Sequence, residues 1–265
     1  MIKLFFKRII RVLLALLVFL GLVFWMIRFA PGKLSGAQSQ GMAVMHIIAE
    51  SLPTSLALGC FSLIIALLLG SSLGVAAALK QNAWVDYSLS GVILLGVSLP
   101  LFVVAPLLVW VFSVTLKMLP PSGWYQQGVN RMIMPIVSLS FPYVATIARV
   151  MRGSMIDVMR SSYIRTAKAK GLSTFVIVFR HALRPAFLAV MGYLGPALAG
   201  LVTGTLVVEQ IFHIPGLSHP LMRSAMNADY TLIMGCVVTY AFVLVAMNIV
   251  IDFLYTLLDP RLAYS

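Results

Sequence analysis

The sequence RVMRGSMIDVMRSSYIRTAKAKGLSTFVIVFRHALRP, residues 149–185, decides how the rest of the chain is arranged. It is the one long polar interruption in an otherwise apolar sequence. It holds eight of the 19 Lys and Arg residues but a single carboxylate, Asp157. Short loops rich in Lys and Arg are retained on the cytoplasmic face of a membrane. We therefore place this segment, which we call the elbow, in the cytoplasm.

Two helices are predicted within the elbow. Apolar residues recur every four positions over residues 154–170, which indicates a first helix with basic residues on its other side. Gly171 is typical of a residue that ends a helix in the left-handed conformation. Ser173 can cap a second, short helix that Pro185 is expected to end. The elbow is therefore predicted to be a helical connection between two membrane spans.

The composition predicts an integral membrane protein. The 265 residues are 61% hydrophobic and 10% charged, with a mean hydropathy of +1.03, whereas soluble proteins average about 25% charged residues. Spans of about 20 residues fill most of the chain and leave no room for a separate soluble enzyme domain. The net charge of +12 suits anionic lipid and an acidic partner rather than nucleic acid, because the basic residues flank apolar spans.

We predict one all-α transmembrane domain that covers the whole chain. Gly70 and Gly74 have the G-x-x-x-G spacing that lets another helix approach closely. Pro100 and Pro106 are expected to kink the third span. With both termini in the cytoplasm, 14 Lys and Arg residues lie inside and five outside, which fits the positive-inside rule. The six predicted spans are residues 9–29, 54–79, 87–116, 132–148, 186–208 and 232–258, with the elbow between the fourth and the fifth.

No pattern for catalysis or metal binding is found in the sequence. It lacks a phosphate-binding loop, an H-E-x-x-H or cysteine cluster and a nucleophile elbow, so we expect no enzyme activity and no nucleotide hydrolysis by this chain. His46, His213 and His219 have scattered spacing without a thiolate or carboxylate partner nearby. A metal site is therefore not predicted.

The fifth span carries the candidates for a translocation path. Ionisable residues in a span often mark a pathway, although one near a boundary is more often a solvated or hydrogen-bonded helix end. Glycines on one helix face line a path less often than they pack against another helix. Both interpretations remain open for the five residues concerned, which are Gly192, Gly195, Gly200, Gly204 and Glu209.

The amino-acid sequence of the elbow resembles the cytoplasmic signature of inner-membrane permeases of ATP-binding-cassette (ABC) importers. This branch of the family takes up oligopeptides, dipeptides and nickel. Within the branch, the sequence most resembles oligopeptide permeases. The resemblance covers most of the chain from about residue 52 onward. Five further matches carry it: AALKQN at 77–82, LPPSGW at 119–124, IPGLS at 214–218, DY at 229–230 and DPR at 259–261.

This resemblance implies that the elbow inserts as a coupling helix into a groove on a cytoplasmic ATPase. Ala167 and Gly171 resemble the small residues that let the coupling helix turn and dock. The motif continues with the apolar positions Leu172 and Leu183. The cations Arg165, Lys168 and Lys170 would face the ATPase or the lipid head groups.

The resemblance also implies the partners and the location of the chain. It predicts a second, similar permease, two ATPases that bind ATP and Mg²⁺, an external solute-binding protein, and a bacterial inner membrane. No cofactor is expected in this chain itself. The external connection at 31–52 is shorter than is usual in the branch, so docking of the binding protein is expected to differ. Oligopeptide is the favoured cargo, with dipeptide, nickel and metallophore left open.

Two other classes of function stay as alternatives. A channel or secondary carrier that works without an ATPase would predict carboxylates near mid-span and inverted repeats, neither of which is found. A structural membrane subunit without a pathway is the third possibility.

Overall fold

The computed structural model describes residues 21, 37–124 and 128–258, and over this part it contains helices and loops without any strand. The predicted all-α class is confirmed. In chain order the helices are α1 (Ala37–Leu79), α2 (Trp84–Ser98), α3 (Leu101–Leu108, continued by a π-helix at Val109–Thr115), α4 (Asn130–Met159), α5 (Ser162–Ala169), α6 (Thr174–Phe212), α7 (Ser218–Met226) and α8 (Tyr230–Leu258).

Four of the described helices are long and apolar enough to cross a membrane, and a fifth crossing is added if α2 and α3 form one broken span. The first predicted span, residues 9–29, lies outside the described residues apart from Gly21. The described part therefore holds up to five of the six predicted spans. The four stretches are Val44–Leu79, Asn130–Met159, Thr174–Phe212 and Tyr230–Ile251.

Helix α1 begins much earlier than the predicted second span. It starts at Ala37, inside the segment that we expected to be an external connection, and it continues through Pro53. The residues before this proline include Ala, Met, Gln and Ile, which tolerate a helix well. The helix can therefore extend towards the N-terminus through residues of good helix propensity.

The third predicted span is broken sharply rather than gently kinked. Helices α2 and α3 meet at an angle of 110°. Pro100 precedes α3 and holds Leu99 in an extended conformation, with φ −83° and ψ 121°, because a proline disfavours the helical conformation of the residue before it. Pro106 lies inside α3 without ending it.

Helices α1 and α4 pack closely at the predicted G-x-x-x-G motif. A Cβ at Gly70 would lie 2.8 Å from the Ile147 side chain, and one at Gly74 would lie 2.6 Å from the Ala148 carbonyl oxygen. Neither position has room for a side chain. The predicted close approach is confirmed, and the partner helix is α4.

The core consists mainly of two apolar clusters. One lies at the end of the bundle that carries the elbow, and the other towards the opposite end, which we call the distal end. The elbow-end cluster includes Ile147, Met151, Met155, Ile164, Ile177 and Val190. The distal cluster includes Leu58, Trp124, Leu139, Leu201, Phe212 and Ile214.

Candidate ATPase-coupling site

The elbow contains a separate short helix, α5, between two long ones. The prediction of one helix over 154–170 was wrong, because α4 runs on to Met159 and the chain breaks at Arg160 and Ser161. Ser161 is extended, with φ −65° and ψ 155°, and its hydroxyl donates to the Val158 carbonyl at 2.6 Å. Serine competes for backbone partners in this way and therefore favours helix ends over helix interiors.

Helix α5 ends as predicted at Gly171. This glycine has φ +77°, a conformation that costs a residue with a side chain about 1 kcal/mol or more. Its N–H donates to the Lys168 carbonyl at 3.0 Å, and the Leu172 N–H donates to the Ala167 carbonyl at 3.3 Å. These are the two hydrogen bonds of a Schellman motif, and they fix the direction in which the chain leaves α5.

Helix α6 begins at the predicted cap but does not end at Pro185. The Val176 N–H donates to the Ser173 hydroxyl at 3.5 Å. The helix then widens into π turns at Ile177–Ala182 and continues from Leu183 to Phe212. The π turns immediately precede the proline, where an α-helical hydrogen-bond ladder would lack a donor. The predicted break was therefore wrong.

One face of α5 is buried against α4 and α6. Ile164 is fully buried and Ala167 is 8% exposed, and both belong to the elbow-end cluster with Met155 and Ile177. Ala167 thus packs inside the chain. The other predicted coupling residues of α5 and the following turn are exposed: Arg165, Lys168, Lys170, Gly171 and Leu172. Leu183 is half-buried beside the same cluster.

Arg165 ties α5 to the end of α4. Its guanidinium Nε and one terminal nitrogen donate to the Arg160 carbonyl at 3.4 and 3.3 Å. A cation on the last carbonyls of a helix stabilises the negative end of its dipole. Arg165 therefore helps to hold the angle between α4 and α5.

Exposed apolar side chains lie on α5, in the turn after it and at the start of α6. Phe175 and Phe179 are 69% and 58% exposed, and their ring centroids lie 4.5 Å apart. Tyr163 and Leu172 are 47% and 39% exposed. An apolar patch beside cations suits a protein surface with an apolar groove and an acidic rim. Sequence reasoning missed this patch, although the i,i+4 spacing of two phenylalanines just after the Ser173 cap could have indicated it.

A largely buried ion pair joins α2 to the part of α4 that lies within the elbow. The Arg152 guanidinium donates to both carboxylate oxygens of Asp86, with Nε to Oδ1 at 2.6 Å and the second bond at 2.7 Å. The Asp86 side chain is 3% exposed and that of Arg152 is 29% exposed. Sequence reasoning missed Asp86. The available signal was its place among only seven acidic residues, directly after the α1–α2 turn.

The α1–α2 turn adds further contacts to this ion pair. Asn82, with φ 63°, donates its N–H to Asp86 Oδ2 at 3.0 Å. Arg160, at the end of α4, donates to the Gln81 side-chain oxygen at 3.5 Å. We call the five residues Gln81, Asn82, Asp86, Arg152 and Arg160 the elbow clamp.

Glu209 forms a different buried site at the distal end. Its carboxylate is fully buried and accepts the Ser218 N–H at 2.8 Å, at the start of α7. Ser55 of α1 accepts the neighbouring Leu217 N–H at 2.9 Å. A Cβ at Gly216 would overlap the Glu209 carboxylate, so only glycine fits there without a shift. We call Ser55, Glu209, Gly216, Leu217 and Ser218 the distal cap.

The predicted path glycines have different surroundings. Cβ atoms at Gly200 and Gly204 would meet Tyr143 and Leu139 of α4, which makes these two glycines packing positions. Gly195 faces Asn248 of α8 at an ordinary contact distance, and Gly192 faces open space.

A groove near the elbow lies between α1 and the first half of α6. Its volume is about 830 Å³, and it is mostly apolar, with Leu183 and Arg184 in its wall. None of the predicted path residues is among the described residues that line it. Within the described part of the chain, no group of three or more His, Cys, Asp or Glu side chains is placed to hold a metal ion.

Comparison with known proteins relates this architecture to a transport family. The sequence profile of the family "binding-protein-dependent transport system inner membrane component" matches residues 66–264. The oligopeptide transport system permease protein OppB of Salmonella typhimurium is 45% identical over 221 residues, which cover 83% of this chain and 72% of the relative. The dipeptide transport system permease protein DppB of Bacillus subtilis is 41% identical over 220 residues, which cover 83% and 71%.

Solved structures share the fold at low sequence identity. The chain is similar to a chain from an inward-facing structure of the MetNI methionine ABC transporter, with a TM-score of 0.70 and 16% identity. The similarity covers 82% of this chain and 98% of that chain. An amino acid ABC transporter structure matches with a TM-score of 0.60 and 14% identity, over 83% and 96% of the two chains.

Proposed function

Because the chain belongs to the family of binding-protein-dependent transport system inner membrane components, we propose that it is the permease subunit of an ATP-driven importer of peptides. The names of the two relatives support a peptide cargo, since one is an oligopeptide permease and the other a dipeptide permease. An oligopeptide is the favoured cargo. Dipeptide, nickel and metallophore are the alternatives within the same branch of the family.

The proposed coupling role is supported most directly by α5, which has one buried apolar face and one exposed basic face. Ile164 and Ala167 are buried against α4 and α6, so the helix is held firmly by its own chain. Its opposite face presents exposed cations beside Tyr163 and Phe175. A short helix held in this way can seat in a groove on an ATPase and transmit its closure as a rigid-body movement.

The proposal assigns roles to the predicted coupling residues. Lys168 and Lys170 contact acidic groups on the ATPase, and Leu172 contributes apolar surface. Gly171 sets the turn that presents them, while Ala167 and Leu183 support α5 from within the chain. Gly192 and Gly195 are the remaining glycine candidates for the translocation path, since Gly200 and Gly204 pack against α4.

The proposed assembly contains one further permease of the same family, two ATPases that hold ATP and Mg²⁺, and an external solute-binding protein. The elbow faces the cytoplasm of a bacterium, and the chain lies in the inner membrane with both termini inside. The excess of Lys and Arg in the elbow supports this orientation. Anionic lipid head groups are further partners of the exposed cations.

Co-purification with the candidate ATPases tests the proposal. We expect the chain to retain them, and Gly171→Pro to abolish retention, because proline cannot adopt φ +77° and lacks the N–H that bonds to Lys168. Gly153→Ala is the matched control, since that helical glycine faces open space. Absence of any ATPase, or retention unchanged by Gly171→Pro, would contradict the coupling role.

A further inference from the structure

We infer that Asp86 is a positioning residue for ATPase coupling, because its buried carboxylate fastens α2 to the helix that carries α5. The inference rests on the proposed function, since it requires α5 to receive the movement of an ATPase. Asp86 lies on α2, outside the elbow, and the ion pair with Arg152 joins residues 66 positions apart in the sequence. It adds a second helix to the part of the permease that the ATPase moves.

The ion pair has the geometry of a rigid connection. Both oxygens of Asp86 accept from Arg152, at 2.6 and 2.7 Å. A planar guanidinium that engages a carboxylate through two parallel hydrogen bonds fixes orientation as well as distance. The Asp86 side chain is only 3% exposed, so water cannot readily replace either bond.

The remaining contacts of the elbow clamp strengthen this connection. The Asn82 N–H holds one Asp86 oxygen, and the Ser90 hydroxyl lies 3.5 Å from the other. Arg160 reaches Gln81 about two helical turns beyond Arg152 along α4. The α1–α2 turn and the start of α2 are therefore attached to α4 at two positions, Arg152 and Arg160. Arg160 is also where α4 ends and the chain turns towards α5.

Helix α2 also touches α4 away from the clamp. A Cβ at Gly96 would lie 2.6 Å from that of Ala145, and Ile93 packs in one cluster with Ala145 and Ala148. Helix α2 is thus attached to α4 near both of its ends. Loss of the clamp would leave only the attachment remote from the elbow, so that a push on α5 could move α4 without moving the start of α2.

The start of α5 completes the path from the ATPase to α2. Arg165 bonds to the Arg160 carbonyl, and Ile164 is buried against α4 residues. Displacement of α5 must therefore displace the end of α4. The clamp passes the same displacement to the α1–α2 turn and α2, which makes these elements one rigid body.

The test measures transport per ATP hydrolysed in proteoliposomes that contain the complete importer. The probe is a mixed library of radiolabelled short peptides, supplied with the solute-binding protein, and phosphate release is measured in parallel. We expect Asp86→Asn to lower peptide uptake per ATP about tenfold, within the range of coupling between sites, while the ATPases remain bound. Asp157→Asn, an exposed carboxylate on the same helix as Arg152, is the control and should leave the ratio unchanged.

A double variant separates positioning from simple charge balance. Asp86→Asn with Arg152→Gln removes both charges, so it should restore thermal stability and yet keep the low transport ratio. A wild-type ratio in either the single or the double variant would overturn the inference, and so would loss of the ATPases from a stably folded double variant. The proposed function itself fails separately, if the wild-type chain neither binds the ATPases nor transports any peptide of the library.

Discussion

The elbow clamp and the distal cap are both built around a buried carboxylate, but different groups hold that carboxylate. Asp86 has a guanidinium partner, with two hydrogen bonds from Arg152. Glu209 accepts the Ser218 N–H instead, at the start of α7, where the helix dipole favours an anion. The first arrangement joins two long helices through a pair of formal charges. The second holds a loop onto a helix end through neutral groups.

This difference is consistent with the proposal that the elbow end of the molecule receives the movement of an ATPase. An ion pair with two bonds resists both separation and rotation, as a connection between helices that move together requires. A carboxylate that accepts one backbone N–H fixes a local loop conformation and depends on close fit, which Gly216 provides. The two sites should therefore respond differently to the same chemical change.

The largest effect is expected from Asp86→Asn. The change leaves Arg152 without its counter-charge, and breaking a buried pair costs about 3 to 5 kcal/mol. Since Arg152 is 29% exposed, we expect the lower end, about 3 kcal/mol. Thermal unfolding of the purified assembly in detergent would measure the loss. The double variant with Arg152→Gln should recover most of the lost stability. A double variant as unstable as Asp86→Asn would show that the unpaired charge of Arg152 does not cause the loss.

A smaller effect is expected from Gly216→Ala in the distal cap. The added methyl group would overlap the Glu209 carboxylate, so the loop or the side chain must shift. Overpacking of this kind costs about 2 kcal/mol. The same unfolding measurement applies, with Gly153→Ala as the control because that glycine has open space around it. A variant as stable as the wild type would mean that the loop does not lie on Glu209.

The smallest effect is expected from Glu209→Gln. The amide oxygen can still accept the Ser218 N–H, and among the described residues the change leaves no bonded cation without its partner, unlike Asp86→Asn. We expect a loss of about 1 kcal/mol, the size of one hydrogen bond. Its comparison with Asp86→Asn, the same type of substitution, tests the contrast directly. Equal losses at the two sites would remove the distinction between clamp and cap.

Local signals in the sequence predicted the parts of this structure that depend on a few neighbouring residues. Gly171 ends α5 in the left-handed conformation, and Ser173 caps α6, as expected from their positions. Gly70 and Gly74 were correctly expected to allow a close helix contact, because their spacing alone carries that information.

The sequence could not predict the features that depend on tertiary packing. Pro185 did not end a helix, because α6 passes through π turns at Ile177–Ala182 and continues through the proline to Phe212. The break at Ser161 lies within a stretch whose apolar residues have helical spacing. That spacing does not show that the Ser161 hydroxyl bonds to a carbonyl at the end of α4. Asp86 and Arg152 are 66 residues apart. The Glu209 carboxylate accepts the Ser218 N–H, and Ser55 of α1 accepts the adjacent Leu217 N–H. No local rule connects such residues.

Site-specific photo-cross-linking from α5 tests whether this helix docks on an ATPase subunit. A photoreactive amino acid at Lys168, on the exposed face of α5, would be compared with one at Met226, which is 82% exposed at the end of α7. We expect the assembled importer to form a cross-link between position 168 and an ATPase subunit, and to form none between position 226 and the ATPase. An ATPase cross-link from position 226, with none from position 168, would contradict it.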